Sequence, residues 1–401
     1  MEKVKAEVVT HYRSELVEYL RANGCTFAYG DTCIRLAKEF GFCYGVERAI
    51  DLAYAARRHF PREQPVYILG EIIHNPHVND QIRDMGVTFL SGSHQAADID
   101  DLGEGDPVVI PAFGTEVKVN EMLKARGCTV IDATCGDVMS VWKRVRQNAR
   151  EQVTSIIHGK AWHEETKATS SQTKAFENGH YLVVFDLDET DYVCRYITRG
   201  GDREAFLKKF EGAMSDGFNP DKHLIAIGLA NQTTMLRGET EEVQRRLRAA
   251  MVEKYGEDAI TGHFRYFDTI CGATQERQDA LRDLLSRPMD LLLVVGGYNS
   301  SNTSHLAEMG EEKLPTYFIK DASEIESAER LNHFLQHKQE MVVAENWLPL
   351  EGELTVGITA GASCPNNLIE EVILRAYELR GAPASEVLGS IHVKAAPAVA
   401  H

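Results

Sequence analysis

The sequence predicts an α/β protein made of three parallel α/β units. Short apolar runs alternate with amphipathic stretches, the texture of parallel strands joined by crossover helices. A turn, Asp132-Ala133-Thr134-Cys135-Gly136, returns as Asp268-Thr269-Ile270-Cys271-Gly272, each ahead of a helical run. A looser relative, Gly41-Phe42-Cys43-Tyr44-Gly45, precedes the helical run from Val46 to Arg58. The expected division is an N-terminal arm at 1–35, units at 36–134, 135–270 and 271–380, and a tail at 381–401. An approximate threefold arrangement would bring the three cysteine turns to one centre.

The elements follow in order. Residues 1 to about 35 read as helical, with Leu16, Tyr19 and Leu20 at helical spacing and a stop at Asn23-Gly24. Pro65 to Leu69, Pro107 to Ile110 and Thr129 to Ile131 read as strands, with helices from Asn79 to Met85 and Val117 to Arg126 between them. After a helix from Val138 to Arg150 come strands from Val153 to Ile157, Tyr181 to Phe185 and Leu224 to Ile227. The charged, irregular stretch near 186–221 reads as an insertion or an extra helical hairpin, and Glu239 to Lys254 as a long helix. The last third has strands at Leu291 to Val295, Pro315 to Ile319 and Thr355 to Ala360, then a helix from Asn367 to Arg380.

The chain has 401 residues, too many for one ordinary core. Its net charge of -17 argues against nucleic acid and anionic membranes as partners. No apolar run is long enough to span a bilayer, and the acidic N-terminal residues do not resemble a targeting segment, so the cytoplasm is expected. The eight cysteines include no C-x-x-C pair, so reduced thiols are expected. Cys25 and Cys33 read as structural.

Cys43, Cys135 and Cys271 are the candidate metal ligands. Three thiolates from separate units could hold a zinc ion or an iron–sulfur cluster, or the three could be core thiols. On three ligands, a [4Fe–4S] cluster keeps one iron open as a Lewis acid. Polar loops end several apolar runs: His74-Asn75-Pro76-His77, Asn231-Gln232-Thr233-Thr234, Asn299-Ser300-Ser301-Asn302 and Gly361-Ala362-Ser363. With His163, these donor-rich loops form a neutral cradle for a phosphate or diphosphate. No P-loop and no G-x-G-x-x-G is present. Glu165 is the candidate proton donor; near a bound anion and away from water its pKa would rise.

These motifs, in this order over roughly 35 to 380, resemble the 4-hydroxy-3-methylbut-2-enyl diphosphate reductase family. The segments carrying the resemblance are Gly41 to Ile50, Glu71 to Asn75, Asp132 to Cys135, Gln232 to Thr234, Thr269 to Thr274, Ser300 to Asn302 and Ile358 to Ser363. Pro111 to Gly114, the His158 to Thr166 stretch and the N-terminal arm resemble the longer cyanobacterial and plastid branch. The resemblance implies a pseudo-threefold trefoil around a central [4Fe–4S] cluster on Cys43, Cys135 and Cys271. It implies reductive loss of the substrate hydroxyl, the last step of the methylerythritol phosphate route. His74, His163, Ser300, Ser301, Asn302 and Ser363 would hold the diphosphate. Glu165 would deliver a proton, Thr233 would orient the substrate hydroxyl, and ferredoxin or flavodoxin would supply electrons. Phe113 departs from the histidine of many bacterial members, and His77 and Lys160 are the candidates to compensate. Gly136 stands where many members have a proline, which alters the turn and not the ligation. The rival readings are a zinc-binding α/β protein and a non-catalytic module for phosphorylated ligands.

Overall fold

Apolar runs of β-branched residues form the strands of this computed structural model, which describes residues 2–395. A hairpin comes first, β1 (Thr26–Tyr29) and β2 (Thr32–Leu36). Next are β3 (Val66–Ile68), β4 (Val87–Phe89), β5 (Pro107–Ile110) and β6 (Thr129–Asp132). Then come β7 (Thr154–His158), β8 (Tyr181–Val184), β9 (Ile227–Asn231) and β10 (Phe264–Tyr266). The last are β11 (Leu291–Val295), β12 (Thr316–Ile319), a second hairpin β13 (Arg330–Leu335) and β14 (Glu340–Glu345), and β15 (Leu354–Ala360).

Two compact units result. One takes Ala56–Ile73 and Gln81–Gly272, the other Met1–Ala55, His74–Asp80 and Ala273–His401. The former holds two four-stranded sheets, ordered β4-β3-β5-β6 and β8-β7-β9-β10. The latter holds a five-stranded sheet, β12-β11-β15-β2-β1. Within these three sheets all neighbours are parallel except the β1–β2 pair, and the separate β13–β14 hairpin is antiparallel. Counted along the chain, the two four-stranded sheets are both ordered 2-1-3-4, and the five-stranded sheet follows the same order when counting starts at β11, ends at β2 and leaves out the edge strand β1. In the third sheet the fourth strand is β2, so the start of the chain completes a sheet begun at Leu291. Each cysteine turn therefore follows a fourth strand.

The inner strands are buried along their length because both faces are covered. β5, β7, β9 and β11 are buried at every residue. Leu16, Val17 and Leu20 of the helix Glu15–Ala22 pack with Ile369, Val372, Ile373 and Tyr377 of the helix Asn366–Leu379 in one core. Among the described residues, no helix is long and apolar enough to cross a membrane.

Three expectations for local structure change. Residues 1–35 are not helical throughout, because Thr32 to Leu36 alternate buried and half-buried side chains at strand spacing and pair with β15. The turn before them uses Gly30 at φ 55. The stretch 186–221 is not irregular but takes the helical alternative. Asp186 caps the helix Leu187–Arg199 and Asp202 caps Arg203–Lys209, so part of its charge serves helix ends. Val193, Tyr196, Ile197, Phe206 and Phe210 bury the other faces in the core beside β8 and β9. The tail holds a helix, Ala384–Ala395, with Val387 and Ile391 buried one turn apart. Residues 396–401 of the expected tail, and Met1 of the arm, lie outside the described residues.

The buried Tyr377 hydroxyl donates to the Phe27 carbonyl at 2.8 Å, tying the last strand of the sheet to a helix 350 residues away. Tyr377→Phe is expected to destabilise the protein by about 1–2 kcal/mol, the range for a lost buried hydrogen bond. Urea unfolding measures it, and an unchanged midpoint would remove this bond from the account.

Candidate functional site

A 2-1-3-4 order puts strands 1 and 3 side by side with their connections leaving in opposite directions. Such a switch point leaves a crevice at the carboxyl ends of the strands, where open parallel sheets bind ligands. The predicted site residues fall on these loops. After the first strands come His74, His163 and the Ser300-Ser301-Asn302 run; after the third come Phe113, Thr233 and Ser363; after the fourth come Cys135, Cys271 and Cys43.

One hydrogen bond repeats at each switch point. The backbone N–H of the cysteine donates to the carbonyl two residues past the third strand. Cys135 donates to Ala112 at 2.7 Å, Cys271 to Thr233 at 3.2 Å, and Cys43 to Ala362 at 3.2 Å. Each cysteine immediately precedes a helix: Gly136–Arg150, Gly272–Leu285 and Tyr44–His59. The N-terminal end of a helix favours a thiolate. All three are half-buried free cysteines. Burial pushes the thiols of Cys25, Cys128, Cys194 and Cys364 up, Cys194 to about 12, which suits them to packing and not to ligation. The trio thus has the donor chemistry, exposure and backbone anchoring that a thiolate-bound metal centre requires.

In the unit with Cys135 and Cys271, Thr233 is the junction. Its carbonyl holds Cys271, its N–H donates to Glu165 Oε1 at 2.6 Å, and its hydroxyl bonds Glu165 Oε2 at 3.0 Å. Glu165 is buried in the first turn of the helix Glu164–Ser171. His163 caps that helix, and its Nδ1 accepts the Glu165 N–H at 3.1 Å, which makes Nε2 the donor nitrogen. The Phe113 ring lies edge-on to the His163 ring at 6.4 Å. Gln232 closes the loops, since its Oε1 accepts from Lys160 N and Thr166 Oγ1 at 3.1 and 3.2 Å. Gly159 is needed there, because a Cβ would stand 2.9 Å from the Gln232 Cβ.

In the other unit, Asn302 Oδ1 accepts the Ala362 N–H at 3.0 Å, beside the carbonyl that anchors Cys43. That turns Asn302 Nδ2 into a buried donor with no protein partner among the described residues. Ser363 Oγ donates to the His74 carbonyl at 3.1 Å. A Cβ on Gly297 would sit 2.3 Å from the same carbonyl oxygen, so only glycine lets the loop after β11 come so close. Ser300 caps the helix Ser301–Glu311, and Ser301, Asn302 and Thr303 are all buried in its first turn. Hydroxyl and amide donors at a buried helix N-terminus make an anion site. The sequence places Asn75 in a donor-rich loop without giving it a role of its own. Its Oδ1 accepts from Val78 N at 3.2 Å, and its buried Nδ2 has no protein partner among the described residues. An asparagine before a proline at a strand end was the available signal.

Comparison with known proteins gives one consistent answer. Residues 34–376 match the LytB protein family. The 4-hydroxy-3-methylbut-2-enyl diphosphate reductase of Thermosynechococcus vestitus is 48% identical over 94% of this chain and 92% of its own. That of Gloeobacter violaceus is 45% identical over 97% and 93%. A solved structure of (E)-4-hydroxy-3-methyl-but-2-enyl diphosphate reductase, the terminal enzyme of the non-mevalonate pathway, superimposes with a TM-score of 0.52 at 29% identity. It covers 86% of this chain and 99% of that one.

His77, expected as a substitute donor for the histidine absent at Phe113, turns elsewhere. Its Nε2 lies 2.6 Å from Asp321 Oδ2. The hydrogen bond to Asp321 raises the His77 pKa against its burial. Burial works to raise Asp321, yet the bonds from His77 and Ser323 hold it down at about 2. The carboxylate contribution is present above its ordinary 3.8 and lost as pH falls through about 2. The imidazolium contribution is full below 6.5 and lost as pH rises through the elevated value. Asp321→Asn is therefore expected to lower the His77 pKa in an NMR titration and to remove the loss of stability above pH 6.5. An unmoved His77 titration would show that the pair does not form in solution.

Proposed function

Because the chain belongs to the LytB family, we propose that it is a 4-hydroxy-3-methylbut-2-enyl diphosphate reductase, an oxidoreductase of isoprenoid biosynthesis. It converts (E)-4-hydroxy-3-methylbut-2-enyl diphosphate to isopentenyl and dimethylallyl diphosphates, the last step of the methylerythritol phosphate pathway. Two electrons and two protons enter, the C–O bond breaks, a C–H bond forms, and the hydroxyl leaves as water. The zinc-binding and non-catalytic readings give way to this one.

The repeated cysteine anchor is the observation that carries the cofactor assignment. Cys43, Cys135 and Cys271 hold a [4Fe–4S] cluster, three equivalent turns providing three equivalent ligands. When bound, that cluster supplies electrons and an open Lewis-acidic iron. Ferredoxin or flavodoxin is the electron donor, in the cytoplasm.

The chain's own residues bind the diphosphate and handle the proton. His74, Ser300, Ser301, Asn302 and Ser363 hold the diphosphate, together with His163 through Nε2. The buried Asn302 Nδ2, which lacks a protein partner among the described residues, supports this most directly. Neutral donors at a helix N-terminus can grip a diphosphate without a cluster of lysines. Glu165 is the proton donor. Its Oε1 accepts a backbone N–H and so cannot donate along that bond; the proton belongs on Oε2, next to the Thr233 hydroxyl. That hydroxyl can accept it and present its own to the substrate oxygen, so Thr233 orients the leaving group.

Two predictions follow from these assignments. Glu165→Gln is expected to keep substrate affinity while turnover falls about 10²- to 10⁴-fold, the usual weight of general acid catalysis. Single-turnover kinetics beside a binding titration separates the two, and near-normal turnover would take Glu165 out of the mechanism. Gly297→Ala has no room for its methyl against the His74 carbonyl. It is expected to weaken diphosphate binding at least about tenfold, the effect of about 1.4 kcal/mol. An unchanged Kd in calorimetry with pyrophosphate would separate His74 from the anion site.

A further inference from the structure

The three cysteine-led helices differ in charge. Gly272–Leu285 carries Glu276, Asp279 and Asp283 against Arg277 and Arg282. Tyr44–His59 carries Glu47 and Asp51 against Arg48, Arg57 and Arg58, and Arg57 is buried against backbone carbonyls. Gly136–Arg150 carries Lys143, Arg144, Arg146 and Arg150 against Asp137 alone. This positive helix stands in a chain of net charge -17.

Its cations are arranged on one line. Cys135, Met139, Lys143, Arg146 and Arg150 are spaced by four, four, three and four positions, which places them on one face of a helix. Met139, Lys143, Arg146 and Arg150 are exposed, while Val138, Val141, Trp142 and Val145 bury the opposite face. Lys143, Arg146 and Arg150 have no carboxylate ion-pair partner among the described residues. Arg144 lies over the Phe267 ring at 4.6 Å, on the loop between β10 and Cys271, and the Arg150 guanidinium lies over the Phe176 ring at 5.7 Å. The nearest acid past the helix end, Glu151, is taken by Arg265. The stripe runs about 20 Å, at 1.5 Å per residue. It begins at a cysteine and ends in cations that no carboxylate pairs.

We infer that this face of the helix Gly136–Arg150 is the docking surface for an acidic ferredoxin. The inference rests on the reductase reading, which requires an electron donor. A strongly acidic chain repels an acidic carrier over most of its surface, and an isolated positive stripe is where such a carrier is steered. This stripe leads to a proposed cluster ligand, so docking there shortens the path for the electron. Exposed Met139, one turn from Cys135, supplies an apolar contact beside the cations.

The test uses the cluster-loaded enzyme with Lys143→Glu, Arg146→Glu and Arg150→Glu combined. A control reverses Lys208, Lys209 and Lys222, exposed cations elsewhere in the same unit, for the same change in net charge. Binding of gallium-substituted ferredoxin, redox-inert but equally acidic, is read by calorimetry, and KM for reduced ferredoxin by turnover. The stripe variant is expected to lose about tenfold or more in both, with kcat on reduced methyl viologen unchanged. Wild-type affinity is expected to fall with salt as exposed charge pairs are screened. Unchanged ferredoxin affinity in the stripe variant, or an equal loss in the control, would overturn the docking site. Absence of viologen-driven turnover in the wild type would instead overturn the reductase reading, while the calorimetry would still judge the surface.

Discussion

Everything at the candidate site hangs on one backbone hydrogen bond made three times. The amide of a cysteine following a fourth strand donates to a carbonyl two residues past the third strand. A thiol at the head of a helix would otherwise move with that helix. Here its backbone is pinned to the neighbouring loop, so its position is set by the sheet. Because the same loop carries Phe113, Thr233 or Ser363 one residue on or at the anchoring residue itself, the bond also registers each cysteine against that side chain. At Thr233 the coupling is tightest: one residue fixes Cys271 by its carbonyl and Glu165 by its amide and hydroxyl.

In the proposed reaction the two compact units would carry different sets of residues. The one completed by β2 holds His74, Ser300, Ser301, Asn302 and Ser363, a set of neutral donors around a buried helix start. A fixed array of hydroxyl, amide and backbone N–H dipoles suits a diphosphate because it needs little reorganisation when the anion arrives. The buried Nδ2 atoms of Asn75 and Asn302, without a protein partner among the described residues, are the observation that supports this proposed role, since an unsatisfied buried donor is costly. The other unit holds Glu165 and Thr233, proposed to handle the proton, and His163, whose Nε2 is proposed to join the diphosphate donors. Phe113 adds an apolar edge against His163 in place of a further donor.

Much of this was legible from residues alone, for reasons that differ by feature. Cys135 and Cys271 announce themselves because a strand, a tight turn and a helix start leave a local signature, and Cys43 followed by analogy. The loops bearing His74, Ser300, Asn302 and Ser363 were legible as donor-rich strand ends. The completion of the third sheet by β2 was not, because Thr32 pairs with Leu354 and such a distant pairing leaves no local mark. The alternation in Thr32 to Leu36 was present but short, and the helical stretch ahead of it dominated the reading. For the helices Leu187–Arg199 and Arg203–Lys209 the residues left an insertion and a helical hairpin both open, because the capping aspartates look like loop composition until the buried phenylalanines behind them are placed. His77 was judged by residue type, and only the geometry shows that Asp321 takes its Nε2.

The central claim is that three repeated turns hold one cluster. Anaerobic purification with iron and sulfide analysis, run on the wild type and on each single Cys→Ser variant at 43, 135 and 271, tests it most directly. The account predicts a brown protein with about four iron and four sulfide per chain. It also predicts loss of the intact cluster in all three variants, while Cys128→Ser and Cys194→Ser retain it. A colourless wild type containing zinc, or a full cluster surviving the loss of any one of the three, would contradict it.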